Sequence, residues 1–565
     1  SKIIQVTISK RIGGGQKLKN FFKKTKEVRM FKKSLLILLV VLIGSSLILG
    51  CGPKGPELAQ EQVLRYNVGA EPQFFDPRKA TGIPEFTMLL NLFDGLVRYN
   101  TEGQLEPSIA ESYTVSDDGL KWTFKLRDAK WSNGEPVTAY DFEYSWKTAL
   151  SPEIASEYAY QLYYIKNGEK YNSGEITNPD EVGVKATDEK TLEVTLEAPT
   201  PYFLALLTFT TYLPVNKKLD ESNPDWAKSA DNYVSNGPFK LTKWDHNHVI
   251  EMEKNPYYWD NDKVKLSKII FTMVEENTTE MLMFENGEID WGPNPPPQEL
   301  ERLQKEGKVV INPYLGTYYF TFNVTKPPFN DVRVRKALTL AIDREAIVKN
   351  ITMAGELPAT AYVPPGVPDA EPNSDFREVG GELFKAYDPE TAKQLLAEAG
   401  YPDGKGFPPF VILYNTNERH KTIAEAIQRM WKETLGISCT LTNQEWKVYL
   451  DNRQALNYDV ARAGWIGDYT DPMTFIDMFV TGGGNNDTGW SNPQYDELVR
   501  TAKSTGDQKV RMKAMHDAEK ILMDEMPICP IYFYTRPEMI KPYVKNAYTS
   551  AIGYTDFKEA YIEKH

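Results

Sequence analysis

Cysteine and histidine are scarce, with three Cys and five His in 565 residues. The scarcity removes most routes to catalysis. Cys439 and Cys529 each sit in an apolar, strand-like run (GISCTL and PICPIYFY) without the neighbours of a catalytic thiol or a zinc ligand. They read as two buried free thiols, with a single disulfide as the alternative. No G-x-S-x-G, no H-E-x-x-H and no Cys/His pair in a recognisable frame occurs, so a hydrolase has no visible nucleophile or general base. No Gly-rich phosphate loop joins a strand to a helix, and Gly482-Gly483-Gly484 reads as a bare loop. The close pair His246-Asn247-His248 reads as an exposed hairpin in preference to a metal contact. Internal repeats and coiled-coil heptads are also missing.

Positive charge is short outside the N-terminus. The whole chain carries −13, but residues 1–50 hold eleven Lys/Arg and one acid, which leaves −23 on the remainder. A body this acidic repels phosphate backbones, so nucleic acid is excluded as a partner. Composition is otherwise that of a globular protein, 41% hydrophobic and 25% charged. Because single cores stop growing near ~250–300 residues, at least two lobes are expected. Aromatics are plentiful, with 32 Tyr and 11 Trp, which fits either a recognition surface or an aromatic-rich core.

One long apolar run exists. Phe31-Lys32-Lys33 precedes the stretch from Ser34 to Gly50, seventeen residues, short for a membrane span and fitting a signal-peptide core. Ile48-Leu49-Gly50-Cys51 resembles a bacterial lipobox, which implies lipidation at Cys51. The expected plan is a signal peptide at 30–50 and a lipid-anchored tether at 51–62, with the body outside the cytoplasm, held to the cell membrane. Met30 is the natural start, and residues 1–29 read as untranslated leader, since Lys26-Glu27-Val28 is encodable by a ribosome-binding sequence.

From Val63 onward strands and helices mix without regular alternation. The run 121–131 alternates like a strand pair, and 191–196 like another strand. Thr138 to Asp141 resembles a capping box, with Phe142, Trp146 and Ala149 on one helix face. Asn330-Asp331 opens a helix with Val334, Ala337, Leu338 and Ala341 inward. Asp388-Pro389 opens another, stopped by Gly400. A fourth is expected from Thr422 to Leu435, stopped by Gly436.

Several segments resemble one family, the large solute-binding proteins of peptide and nickel ABC importers. They are 122–146 (WTFKLRDAKWSNGEPVTAYDFEYSW), 236–244 (NGPFKLTKW), 255–260 (NPYYWD), 329–345 (FNDVRVRKALTLAIDRE) and 392–400 (AKQLLAEAG). Residues 443–453 (NQEWKVYLDNR) and 459–472 (DVARAGWIGDYTDP) are similar to the oligopeptide-binding branch. The resemblance runs from about Val63 to His565. It implies an α/β fold: a two-lobed, periplasmic-binding-protein-like clamshell of class II type with an additional third domain. Lobe I would comprise 63–93, 218–319 and 536–565, the extra domain 94–217, and lobe II 320–535. Hinge crossings would lie near Thr317–Tyr319 and near Tyr534.

The function so implied is capture of short peptides of varied sequence and delivery to the membrane permease subunits of an importer powered by cytoplasmic ATPases. The protein would be a monomer and not an enzyme, without cofactor or metal. Nickel, haem or oligosaccharide is the alternative ligand within the family, and an extracellular peptidase the alternative outside it. A receptor indifferent to side chains must satisfy the peptide backbone and its two charged ends. By resemblance Asp468 takes the α-ammonium, while His420, Arg453 and Arg462 meet the carboxylate at different depths as a set of cations. Strand segments Thr81-Gly82-Ile83 and Ala463-Gly464-Trp465 would flank the peptide. Trp446, Tyr158 and Tyr318 complete the expected wall. Some members join the hinge and the GW-x-x-DY segment by a disulfide; Gly316 and Ile466 stand at those places, so that link is absent.

Overall fold

The computed structural model of the protein describes residues 57–565. The expectations for 1–29, 30–50 and Cys51 lie outside the described residues. The architecture is α/β, with two lobes and a third domain. Among the described residues one sheet of eleven strands runs through the molecule. Its order is Thr440–Gln444, Val411–Asn415, Val460–Ile466, Val309–Phe322, Ile528–Ile540, Trp291–Gly292, Val63–Asn67, Lys268–Thr272, Val249–Lys254 and Phe239–Asp245, with Leu357–Pro358 attached to Ile528–Ile540.

The two long strands Val309–Phe322 and Ile528–Ile540 pass through the middle of this sheet. They pair antiparallel from Val309↔Met539 to Pro313↔Thr535, and again from Thr317↔Phe533 to Thr321↔Ile528. The register shifts between these stretches, at Tyr314, Leu315, Gly316 and Tyr534, and again between Tyr318 and Tyr319. Gly316 faces Ile466 across the neighbouring strand pair. Both Cys439 and Cys529 are buried and free.

The four-stranded antiparallel sheet of the third domain has the order Ala110–Val115, Lys121–Leu126, Thr191–Thr195, Val184–Asp188. Helix Ala139–Leu150 packs on it, and its capping box is formed by Thr138 and Asp141. Buried Trp146 donates its indole N–H to the Tyr212 carbonyl at 2.8 Å, which ties this helix to the segment leading out of the domain. The run 121–131 is a single strand and not a pair: it ends at Leu126, before Arg127-Asp128, and Lys130 makes only an isolated bridge to Pro136. Asp is a poor strand residue, so the alternation ends there despite Trp131.

Two further boundaries differ from expectation. Helix Glu418–Leu435 begins four residues before Thr422, because the Asn417 side chain caps it by accepting the backbone N–H groups of Arg419 and His420 at 3.0 and 3.3 Å. Its apolar stripe starts only at Ile423, so apolar spacing alone misses the first turn. Ile83 is not strand: Gly82 is extended (φ −114°, ψ 156°), but Ile83–Leu92 is a helix. Pro84 in its first turn has a φ already set for the helix and needs no N–H there.

One apolar core fills the second lobe, drawing on Phe320, Val334, Ile412, Ile427, Trp431 and Val460. The segment that follows Val460 leaves it. Trp465, Tyr469, Phe475 and Tyr495 belong instead to the large core shared with the third domain. Trp465 stacks on Tyr158 at 6.0 Å and Tyr469 on Tyr202 at 5.2 Å.

Candidate functional site

The strand Val460–Ile466 organises the site. One edge is fully paired, from Phe322↔Val460 to Gly316↔Ile466. On the other edge only Val460 and Ala461 find partners, Ile412 and Leu413. Beyond Ala461 the neighbouring strand diverges, and residues 462–466 keep an open edge in the interior. Backbone groups there need partners, and an open edge is a template for another extended chain. The Tyr449 hydroxyl covers one of them by donating to the Arg462 carbonyl.

Strand periodicity puts Arg462, Gly464 and Ile466 on one face and Ala463 and Trp465 on the other. The first face walls a cavity of about 280 Å³, closed on other sides by Ile83, His420, Trp446 and Tyr534 among others. A side chain at Gly464 would push into it: a Cβ there would stand 2.5 Å from the Tyr534 hydroxyl. Across the cavity the Trp446 indole lies against Gly82, where a Cβ would meet the ring at 3.1 Å. The indole N–H of Trp446, the hydroxyl of Tyr532 and the Nε of Arg462 are buried without a hydrogen-bond partner.

At one end of the open edge is a cation. The Arg462 guanidinium lies over the Tyr318 ring at 4.8 Å and donates to the Tyr534 hydroxyl at 2.8 Å and, more weakly, to Asn415 Oδ1 at 3.4 Å. No carboxylate among the described residues pairs with it. Tyr318 is fully buried, stacked on Tyr532 at 4.7 Å, and its hydroxyl is 3.3 Å from His420 Nδ1. His420 is not a second cation. Burial, then the charges of Arg462 and Arg419, hold it well below the usual imidazole range, so it serves as a neutral hydrogen-bonding group.

At the other end is an acid. Asp468 is 4% exposed; its carboxylate accepts from Gln161 Nε2 at 2.8 Å, its N–H donates to Thr474 Oγ1 at 2.9 Å, and its carbonyl accepts from Tyr554 at 2.7 Å. No Lys, Arg or His among the described residues pairs with it. Burial drives its carboxyl well above the ordinary range, with Asp477 adding to the shift and the hydrogen bonds from Thr474 and Gln161 opposing it. Trp465 and Tyr158 stand nearby, and the Trp465 indole is fixed by its N–H donating to the Thr474 carbonyl at 2.8 Å. The Gln161 Oε1 is buried without a partner.

The structure thus gathers Arg462, His420, Trp446, Gly464, Ile83, Gly82 and Tyr318 around or beside one cavity, and Asp468, Trp465 and Tyr158 beyond it. Ala463 is buried on the opposite face, paired with Tyr319. Arg453 is set apart from the cavity, in a buried ion pair with Asp487 at 2.7 Å. Residues missed by sequence reasoning are Arg419, Tyr532 and Gln161, and Tyr534, expected at the hinge, also lines the cavity. The alternation Tyr532-x-Tyr534-x-Arg536 was a usable signal, since it sends three polar-tipped side chains to one strand face. Gln161 carried none.

Comparison with known proteins shows the family. Residues 104–487 match the family described as bacterial extracellular solute-binding proteins, family 5. The oligopeptide-binding protein OppA of Bacillus subtilis is 41% identical over 551 residues, covering 94% of this chain and all of that one. Haemophilus influenzae OppA, solved in complex with RPPGFSPFR, superposes with a TM-score of 0.83 at 37% identity, covering 90% of this chain and all of that one. The Escherichia coli murein tripeptide binding protein MppA gives 0.84 at 37% identity over 90% of this chain and all of its own. The unliganded open form of MppA gives only 0.59, at 36% identity over 91% of this chain and 99% of that one.

Proposed function

The chain belongs to family 5 of the bacterial extracellular solute-binding proteins, and from that membership we propose that it captures short peptides and hands them to the permease of an ABC importer. The observation that carries the proposal is the open strand edge 462–466, bracketed by a cation without an acid and an acid without a cation. An extended peptide has the matching parts: a backbone to pair with the edge, an ammonium for Asp468 and a carboxylate for Arg462. His420, Trp446 and the tyrosines then supply polar tips and apolar walls without reading a particular side chain.

Capture is proposed to proceed by closure of two lobes, 63–93 with 218–319 and 536–565 against 320–535, with 94–217 as the third domain. The hinge is proposed near Thr317–Tyr319 and near Tyr534, beside the register shifts between Pro313 and Thr317 and between Tyr318 and Tyr319 in the two crossing strands. A closed arrangement is supported by contacts between these parts: Gln73 Nε2 to Asp451 at 2.9 Å, Thr278 to Glu418 at 2.7 Å and Gln161 to Asp468 at 2.8 Å. The poorer fit to the open form of MppA agrees with it. Closure around a ligand gives a membrane partner a state to read. The proposal extends to a monomeric, non-enzymatic receptor tethered outside the cytoplasm by lipid on Cys51.

The test is to denature purified protein lacking the lipid and identify what it releases by mass spectrometry. Short peptides sharing length but not sequence are expected. Stoichiometric nickel, haem or sugar with no peptide would overturn the ligand while leaving the family intact.

A further inference from the structure

The triple glycine Gly482-Gly483-Gly484, a bare loop by sequence, lies where the second lobe meets the third domain, and its three residues are not equivalent. A Cβ on Gly482 would meet nothing within 4 Å, and one on Gly483 only its own loop, at Val480 and Met478. A Cβ on Gly484 would stand 2.1 Å from the Glu157 carbonyl oxygen and 2.9 Å from the Glu157 Cα. That is backbone against backbone across the seam, an approach only glycine admits. The next residue, Asn485, is buried and donates to the Tyr160 hydroxyl at 3.3 Å.

Both sides of this contact are held in place. Asn486 pins the loop by donating to the Phe479, Val480 and Trp490 carbonyls at 3.3, 3.0 and 3.0 Å. On the third domain the Gln161 carbonyl accepts from the Tyr212 hydroxyl at 2.5 Å, and Tyr158 packs on Phe209 at 4.7 Å. Neither Gly484 nor Asn485 lines the cavity beside Arg462. The third-domain segment that meets them nevertheless carries Gln161 to Asp468 at 2.8 Å. We infer that Gly484-Asn485 is a closure latch: the third-domain segment 157–161 seats on it as the lobes close, and this contact holds the closed state without touching the ligand. The inference rests on the peptide capture by closure proposed above. The latch carries an opposing charge. The half-buried Glu157 carboxyl is pushed up to about 8 by burial first, then by Asp487 and Asp451, against Arg453 and Gln454. Seating it ionised works against closure.

The test is calorimetric binding and stopped-flow release of tetra-alanine, with free ends and with an amidated C-terminus. G484A should weaken both forms by the same factor, about tenfold or more, through faster release, while the ligand-free protein unfolds at the same denaturant concentration. E157Q should act the other way. It should tighten both forms at least about tenfold at pH 8, with the advantage shrinking as pH falls toward about 5, because a carboxyl raised on closure opposes it least when protonated. Asp468 is common to E157Q and the unmodified protein and drops out of that difference. G484A binding like the unmodified protein overturns the inference, as does a loss confined to one peptide form, which would put Gly484 in the ligand site. Where G484A does not fold, E157Q decides, and unchanged affinity at pH 8 overturns the latch. Folded, ligand-stripped, unmodified protein that binds no peptide overturns the peptide reading and this inference together, a result distinct from that of either variant.

Discussion

Between residues 468 and 487 four aspartates are buried, and they divide three against one. Asp471 pairs with Arg511 at 2.8 Å, Asp477 with Lys503 at 2.6 Å and Asp487 with Arg453 at 2.7 Å. Asp468 has amide and hydroxyl partners and no cation. Arg462 is its mirror image on the same stretch of chain. A fold that buries charge for its own sake balances it, because an unpaired buried charge costs more than a paired one returns. The three balanced aspartates show what this region does with charges meant for stability. Within residues 460–487 the imbalance is confined to one acid and one cation at the two ends of an open strand edge, where a ligand with opposite charges at its ends would balance both.

The comparison is sharpened most by separating stability from affinity. Truncating a balanced acid, Asp471→Ala, should leave Arg511 buried and unpaired and cost roughly 3–5 kcal/mol of folding stability, measured by denaturant unfolding. Asp468→Ala should do the opposite: peptide affinity falls by roughly 2–5 kcal/mol in calorimetry, while the ligand-free protein unfolds no earlier than the unmodified one. Loss of stability in Asp468→Ala, with affinity intact, would break the distinction. Next in size, Arg462→Ala should weaken free-acid peptides by about 2–3 kcal/mol and leave C-terminally amidated peptides nearly unaffected.

Titration separates the same two classes. Since the folded carboxyl of Asp468 is raised, its contribution to the ligand-free protein is fully present below the ordinary Asp value of about 4 and is lost as pH rises through the folded value. An incoming ammonium stabilises the ionised form and expels the proton. Peptide binding should therefore release protons, seen as a dependence of the calorimetric heat on buffer ionisation, and Asp468→Asn should abolish that part of the release. The smallest effect is steric. Gly464→Ala crowds the Tyr534 hydroxyl and should cost affinity by about 1 kcal/mol, without touching the charge comparison.

Local features of this arrangement were legible in the sequence. The capping box at Thr138–Asp141, the Asp331 and Asp388 caps and the Gly436 stop are chemistry within one turn of chain, and each stands where its residues place it. The candidate acid and cation were legible through the 459–472 segment and its resemblance. What was not legible is which charges are already spent. Arg453 looks as available as Arg462 until Asp487, 34 positions on, is brought against it. Asp468 looks like any turn aspartate until Gln161, 307 positions earlier, is found to be its carboxylate's side-chain donor. His420 reads as a cation from its type, and only its burial, together with the charges of Arg462 and Arg419 beside it, holds it below the usual imidazole range. The open edge depends on where the strand Val411–Asn415 parts from its neighbour, which no local pattern encodes.

The most direct measurement compares one peptide in three forms: tetra-alanine with free ends, with an acetylated N-terminus and with an amidated C-terminus, titrated into ligand-stripped protein. The account predicts that each block costs about a hundredfold in affinity, the acetyl group through Asp468 and the amide through Arg462. Equal affinity for all three forms would contradict it, since the two unbalanced charges would then have no part in holding the ligand.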